Sequence, residues 1–338
     1  MTYDDSRGRD EPVAAPSSVK SAQAAVSGSA CKICGNRAGN KEHVVSEMMF
    51  GLKEEFPYLE CGECGCLQLE TAPPEMGTYY PQNYYAFRSS SRRTWVKELL
   101  RQLKNRCYFG RVSPLARFWD VRHPHLQLRA FSSMKPSRVA KILDVGCGSG
   151  AFVRDLFSLG FSNVLGIDPF IAGDIEASGR VIVRKCGLDE LTGTTWDVIM
   201  FHHSFEHIPD PHETLRTVRN LLAPDGQCLI RVPVVSWAWR HYGANWVQLD
   251  APRHFFLHSE RSLRALAEQS GLVVTRTDYD STEFQFCGSE LYARGIAFGS
   301  TEPAAFIPRR AVAAFRAQAL RLNKQRLGDQ AAFYLAVS

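Results

Sequence analysis

The sequence predicts an α/β fold in which a mostly parallel sheet carries helices on both faces and a small cysteine-rich ribbon precedes it. Three observations predict it. Ile142, Leu143 and Val145 run directly into Gly146, Gly148 and Gly150, and Phe152, Val153, Leu156 and Phe157 come next at helical spacing. That order reads as strand, glycine turn and helix. Short apolar runs then alternate with amphipathic stretches, as crossover connections of a parallel sheet require. Upstream, Cys31-Lys-Ile-Cys34 and Cys61-Gly-Glu-Cys64 form two matched pairs separated by 26 residues.

Taken in order, residues 1–28 are rich in Ser, Ala, Asp and Arg without periodicity and read as a disordered leader. Residues 29–87 hold the ribbon and a tyrosine-rich stretch. Each CxxC turn is tight enough to aim two thiolates at one ion, and Gly35 and Gly65 suit that turn. Four thiolates close a tetrahedral site, so the expected metal is a structural zinc on Cys31, Cys34, Cys61 and Cys64. Cys66 and His43 are substitute ligands, and a redox pair is the rival reading. The stretch Thr78–Phe87 carries Tyr79, Tyr80, Tyr84 and Tyr85, with prolines at 73, 74 and 81 opposing a long helix. These tyrosines are candidates to cover a substrate or to pack the ribbon against the main domain.

Residues 88–136 read as a basic helical segment and linker. From Arg88 to Arg138, 13 Lys and Arg face Glu98 and Asp120, whereas the whole chain carries +5. Such a face attracts a phosphorylated substrate, nucleic acid or an anionic surface, or is simply solvated. Residues 137–338 form the main domain. Further strands are expected over 163–167, 181–184, 196–201, 228–232 and 272–277, and a strand over 330–337 closes the sheet beside the one near 275. Helices are expected over 215–222, around 263–267 up to Gly271, and over the basic stretch 309–326. The chain of 338 residues is 45% hydrophobic, enough for a proper core. Nowhere does it hold an apolar run of about 18 residues, and its start lacks a hydrophobic signal segment. Ten cysteines without a disulfide framework suggest reduced thiols and the cytoplasm.

The glycine spacing is GxGxG, not the GxGxxG of dinucleotide sites. With Asp144 two positions before the first glycine and Asp168 closing the second strand, KILDVGCGSG resembles motif I of the class I S-adenosylmethionine-dependent methyltransferases. The resemblance implies a Rossmann-like seven-stranded sheet and S-adenosyl-L-methionine as cofactor. It places Asp144, Gly146, Gly148 and Gly150 at the cofactor, Asp168 on the ribose, Leu188 (less so Asp189) at the adenine, and His202 beside them. The cysteine knuckles, the YYP-x-x-YY segment and this core together are similar to bacterial zinc-ribbon sugar methyltransferases over residues 31–275. The sugar C-methyltransferases of that group carry a further C-terminal domain for which these 338 residues have no room. The resemblance implies as substrate a sugar on a nucleotide or polysaccharide precursor, methylated on oxygen or carbon.

The fourth strand ends in Phe201-His-His-Ser-Phe-Glu-His-Ile-Pro-Asp-Pro211. Methyl transfer is an in-line displacement, so the protein must align the acceptor, exclude water and take a proton. His207 is the first candidate base and His203 the second, with Glu206 orienting one of them; alternatively Glu206 and His207 brace the next helix. His203 and His207 stand four apart, but no acidic third ligand lies at helical spacing. Asp250-Ala-Pro-Arg-His-Phe-Phe-Leu-His258 resembles the family's PRHxxxFT-type segment. It offers Arg253 for a substrate phosphate and His254 for the site, while His258 reads equally as packing. Two other functions fit: an RNA methyltransferase using the basic segment, although HHSFEH is not the NPPY-type motif, and a non-catalytic cofactor-binding scaffold.

Overall fold

A computed structural model describes residues 25–26, 28–80, 101–103, 105–109, 124–177, 179–300 and 306–338. The leader through residue 24, Tyr84, Tyr85 and most of the basic segment lie outside the described residues. The first elements are β1 (Ala25–Val26), β2 (Lys41–Ser46), β3 (Glu55–Glu60) and β4 (Leu67–Leu69). After α1 (Leu126–Ser133) come β5 (Ile142–Val145), α2 (Ala151–Ser158), β6 (Val164–Ile167), β7 (Ile175–Ala177), β8 (Arg180–Arg184) and β9 (Trp196–His202). Next are α3 (Pro211–Leu221), β10 (Leu222–Pro233), α4 (Trp237–Tyr242), β11 (Phe256–Leu257) and α5 (Glu260–Gln269). The last are β12 (Leu272–Tyr279), α6 (Phe284–Ala293), α7 (Arg309–Lys324) and β13 (Gln330–Val337).

The large sheet runs β12-β13-β10-β9-β5-β6-β8-β7. Strands β8, β6, β5, β9 and β10 are parallel, and β13 is antiparallel to both of its neighbours. Every residue of β5 is buried, because helices cover both faces of a parallel sheet and leave no solvated side. Seven of these strands are the expected ones. The eighth, β7, folds back on β8 through Gly179 at φ +75°. Ile175-Glu-Ala is too short and too exposed to show a strand pattern. Helix α6 has no visible sequence pattern either: Gln285, Phe286, Cys287, Gly288, Ser289, Leu291 and Tyr292 are all buried, so it lacks a one-sided apolar stripe. Two helices start earlier than their apolar spacing suggests. Asp210 accepts the Glu213 N–H with Pro211 at the first position of α3, and Ser259 with Ser262 forms a capping box on α5. No helix among the described residues is long and apolar enough to cross a membrane.

The ribbon is joined to the large sheet's connections by hydrogen bonds as well as side chains. Strand β11, from the segment after β10, pairs antiparallel with β4 and completes a five-stranded sheet, β1-β2-β3-β4-β11. Beside it lies Arg253, fully buried. Its Nε and Nη2 donate to Asp250 at 3.1 and 2.5 Å, Nη2 also to Glu47 at 2.9 Å, and Nη1 to the Tyr79 carbonyl at 3.1 Å. This corrects the expectation that Arg253 binds a substrate phosphate, since its guanidinium is already committed to two carboxylates and a carbonyl. Tyr79 is corrected likewise: its hydroxyl bonds Glu54 and its ring packs edge-on against Phe56.

Removing Arg253 strands Glu47 and Asp250 without a counter-charge, a loss worth about 3–5 kcal/mol. Arg253→Ala is therefore expected to lower the urea midpoint of the ligand-free protein strongly. An unchanged midpoint would show that the cluster does not hold the ribbon in place.

Candidate functional site

The glycine turn joins β5 to α2. Gly146 lies at φ +70°, and a Cβ there would stand 2.5 Å from Ser204 Cβ. Gly150 caps α2, also at φ +70°, and its Cβ would meet Val183 Cγ2 at 2.5 Å. The turn is thus pressed between the loop after β9 and strand β8, which glycine alone allows. Asp168, just past β6, accepts the Gly148 N–H through Oδ2 and the Phe170 N–H through Oδ1, both at 2.9 Å. Asp144 is buried in β5; burial, and then the charge of Asp168, push its carboxyl up to about 7. His202 is buried edge-on against Phe152 at 4.9 Å, and neither of its ring nitrogens has a hydrogen-bond partner among the described residues. Leu188 is half-buried after β8. These expected cofactor residues share the carboxyl ends of the parallel strands, where open α/β sheets bind ligands.

The segment after β9 carries the second group. His203 stands at φ +54°, a left-handed conformation that costs a β-carbon residue about 1 kcal/mol or more. Its Nε2 accepts from Arg231 Nη1 at 2.7 Å, which leaves Nδ1 as the N–H facing Glu206 Oε1 at 3.3 Å. Arg231 is held in turn by Asp280 at 2.6 Å. His207 Nδ1 donates to the Arg253 carbonyl at 2.9 Å, with the Tyr80 hydroxyl at 3.3 Å. Nε2 of His207 therefore carries the lone pair. The same logic applies to His254, whose Nδ1 donates to the Gln248 carbonyl at 2.8 Å. Its ring meets His207 edge-to-face at 4.7 Å. These tautomers are set by the partners, because a carbonyl can only accept.

Glu206 is fully buried, and its Oε2 has no hydrogen-bond partner among the described residues. Burial works against its charge, but the His203 bond, and then the nearby imidazoles of His203, His207 and His254, hold the carboxyl down to about 2. Burial, then His207, push the His254 imidazolium down to about 4, so that ring is neutral at neutral pH. His258 is also buried, with Nδ1 3.1 Å from Ser262 Oγ, and serves packing at the start of α5. The structure thus gathers His203, Glu206, His207, His254 and Tyr80, and leaves Arg253 and Tyr79 in the scaffold. Sequence reasoning missed Arg231 and Asp280. A lone Arg inside the apolar run Cys228–Val234 was the available signal.

In the ribbon, the sulfurs of Cys31, Cys34, Cys61 and Cys64 lie within 4.8 Å of one another. Cys31–Cys64 and Cys34–Cys61 are 3.7 and 3.5 Å apart, close to the ~3.8 Å edge of a tetrahedron with Zn–S bonds of about 2.3 Å. Gly35 and Gly65 donate back to the Cys31 and Cys61 carbonyls, closing both knuckles. The Cys64 hydrogen bond draws the Cys31 thiol down to about 5. Neither substitute ligand joins them: His43 pairs with Glu60 at 2.9 Å, and Cys66 bonds the Leu67 carbonyl.

Comparison with known proteins agrees with this geometry. The methyltransferase domain family matches residues 115–277. The mitochondrial ubiquinone biosynthesis O-methyltransferase of Bos taurus is 31% identical over 140 residues, covering 36% of this chain and 38% of that protein. The match therefore spans well under half of the bovine relative's length. The ubiquinone biosynthesis O-methyltransferase of Bordetella avium is 28% identical over 189 residues, covering 46% and 76% respectively. An S-adenosylmethionine-dependent methyltransferase from Mesorhizobium loti, solved crystallographically, is 18% identical with a TM-score of 0.41, covering 62% of this chain and 96% of that one. Residues 115–277 thus match a methyltransferase domain, and the glycine turn and the order of the sheet lie within or beside that stretch.

Proposed function

We propose that the protein transfers a methyl group from S-adenosylmethionine to a hydroxyl oxygen of a small acceptor. The observation that carries this is the loop after β9, which touches the glycine turn through Ser204 and presents a free lone pair on His207 Nε2. The residues fit the cofactor: a turn that excludes side chains at Gly146 and Gly150, a buried carboxyl at Asp144 suited to a cationic ligand, and Asp168 with further lone pairs for ribose hydroxyls. Bound S-adenosylmethionine supplies the activated methyl group. The chain's share is to align the acceptor oxygen, keep water out and receive the hydroxyl proton at His207 Nε2. His203, with both nitrogens engaged, positions Glu206 instead.

For the acceptor we favour a sugar hydroxyl on a nucleotide or polysaccharide precursor. Support comes from the paired cysteine knuckles and the YYP-x-x-YY segment ahead of the methyltransferase core. A phenolic hydroxyl is the second reading, favoured by the names of the ubiquinone-pathway relatives. The RNA alternative rests on the basic segment, most of which is outside the described residues. The four ribbon thiolates suit a structural zinc, because they leave no position for substrate. Thiolate ligation of this kind belongs in a reducing compartment, such as the cytoplasm.

Mass spectrometry after incubation with S-adenosylmethionine, nucleotide sugars, phenolic quinone precursors and RNA is expected to show a gain of about 14 mass units on a sugar, with S-adenosylhomocysteine released. A gain confined to phenols or RNA would replace the acceptor, and no product on any acceptor would favour a scaffold. With the acceptor found, His207→Gln should lower kcat by about 10²–10⁴ while cofactor affinity holds; unaltered kcat would remove His207 as the base. Elemental analysis should find zinc at one per chain in the ribbon, lost in Cys34→Ser together with a lower Tm. A zinc-free chain of unchanged Tm would exclude a structural metal.

A further inference from the structure

We propose that Glu206, His207 and His254 form a binding site for a divalent cation of the first transition row where the connections after β9 and β10 meet. This inference rests on the methyl-transfer function proposed above and concerns how the same site handles the acceptor hydroxyl. One donor atom from each of the three residues lies within 4.8 Å of the other two. In both histidines Nδ1 is taken by a backbone carbonyl, of Arg253 and of Gln248, at 2.9 and 2.8 Å. Fixing Nδ1 in this way is how proteins orient an imidazole to ligate through Nε2. The third residue, Glu206, is fully buried, and its Oε2 has no hydrogen-bond partner among the described residues.

Such an oxygen, sealed from water, is costly to keep without a partner. The imidazoles beside it leave Oε2 without a donor among the described residues. Nε2 of His254 stands 4.0 Å from Glu206 Oε1 and 3.8 Å from Asp250 Oδ2, beyond hydrogen-bond reach. Asp250 is already held by Arg253, and His203 donates to the other oxygen of Glu206. Two imidazoles and one carboxylate are the donor set that first-row divalent cations accept while keeping open positions. His207 is the half-buried member of the three.

An acceptor hydroxyl bound to that cation loses its proton more readily. The O–H bond breaks with release of a proton to solvent, the new C–O bond forms, and the methyl–sulfur bond breaks with its electron pair left on sulfur. With its Nε2 on the cation, His207 has no lone pair left for the proton and serves as a ligand instead of the base. Arg231 and Asp280 take no part in the cation site, because they hold His203.

The test uses the full chain, stripped with EDTA and checked by elemental analysis for retained ribbon zinc. Mn²⁺ is titrated in, and its uptake is read from the loss of its free electron paramagnetic resonance signal. One saturable site is expected, weakened at least tenfold in Glu206→Gln and in His254→Gln. S-adenosylmethionine binding, measured in parallel, shows that each variant is folded. No saturable site in the unaltered chain, or unchanged affinity in folded variants, would overturn the proposal, and the unaltered chain decides if the variants do not fold. Methyl transfer that proceeds in EDTA would remove the cation and leave the methyltransferase function standing. Mn²⁺ binding without S-adenosylmethionine binding would do the reverse.

Discussion

The buried charge of Arg253 is the constraint on which the site depends. A guanidinium out of water must find its carboxylates, and it finds one on each side: Glu47 from the ribbon and Asp250 from the connection after β10. The backbone of that same residue then orients His207, and the next residue is His254. Further bonds tie the same seam. The Tyr58 hydroxyl donates to the His254 carbonyl at 2.8 Å, and the Phe255 N–H donates to the Glu206 carbonyl at 2.9 Å. The ribbon therefore stabilises more than its own fold. Its strands carry one wall of the histidine–carboxylate cluster.

Two kinds of electrostatic setting meet at this cleft. Asp144 is neutralised by its surroundings, since burial and the nearby Asp168 both disfavour its charge. Glu206 is as deeply buried, yet three imidazoles surround it and favour its charge. The same residue class thus serves two ends: one carboxyl awaits a cation from a ligand, the other is ionised before any ligand arrives. Divergence of this sort between neighbouring acids marks a site more than a scaffold.

Much of this was legible in the sequence. The glycine turn and its acids were, because close backbone approach leaves few residue choices at Gly146 and Gly150. The positions of the strands along the chain were legible because parallel strands are apolar on both faces. The cysteine cluster was legible from the spacing of two knuckles. Arg253 was misread because an arginine beside histidines looks the same in sequence whether it faces a substrate or a buried Glu47, 206 residues away along the chain. Helix α6 was lost because burial on all sides erases the periodicity that reveals a helix. The convergence of His254 with Glu206 was visible in outline from a family resemblance. The tautomers that make its Nε2 a donor were not, since they depend on the carbonyl of Gln248.

Calorimetric titration of S-adenosylmethionine into the full chain between pH 6 and 8 tests the central claim most directly. The account predicts one site per chain, lost in Asp168→Ala. Asp144 must give up its proton to meet the cationic ligand, so affinity should weaken by about tenfold per pH unit below about 7, and Asp144→Asn should flatten that slope. Absence of saturable binding at any pH would contradict the account, and tight binding unaffected by Asp168→Ala would place the cofactor elsewhere.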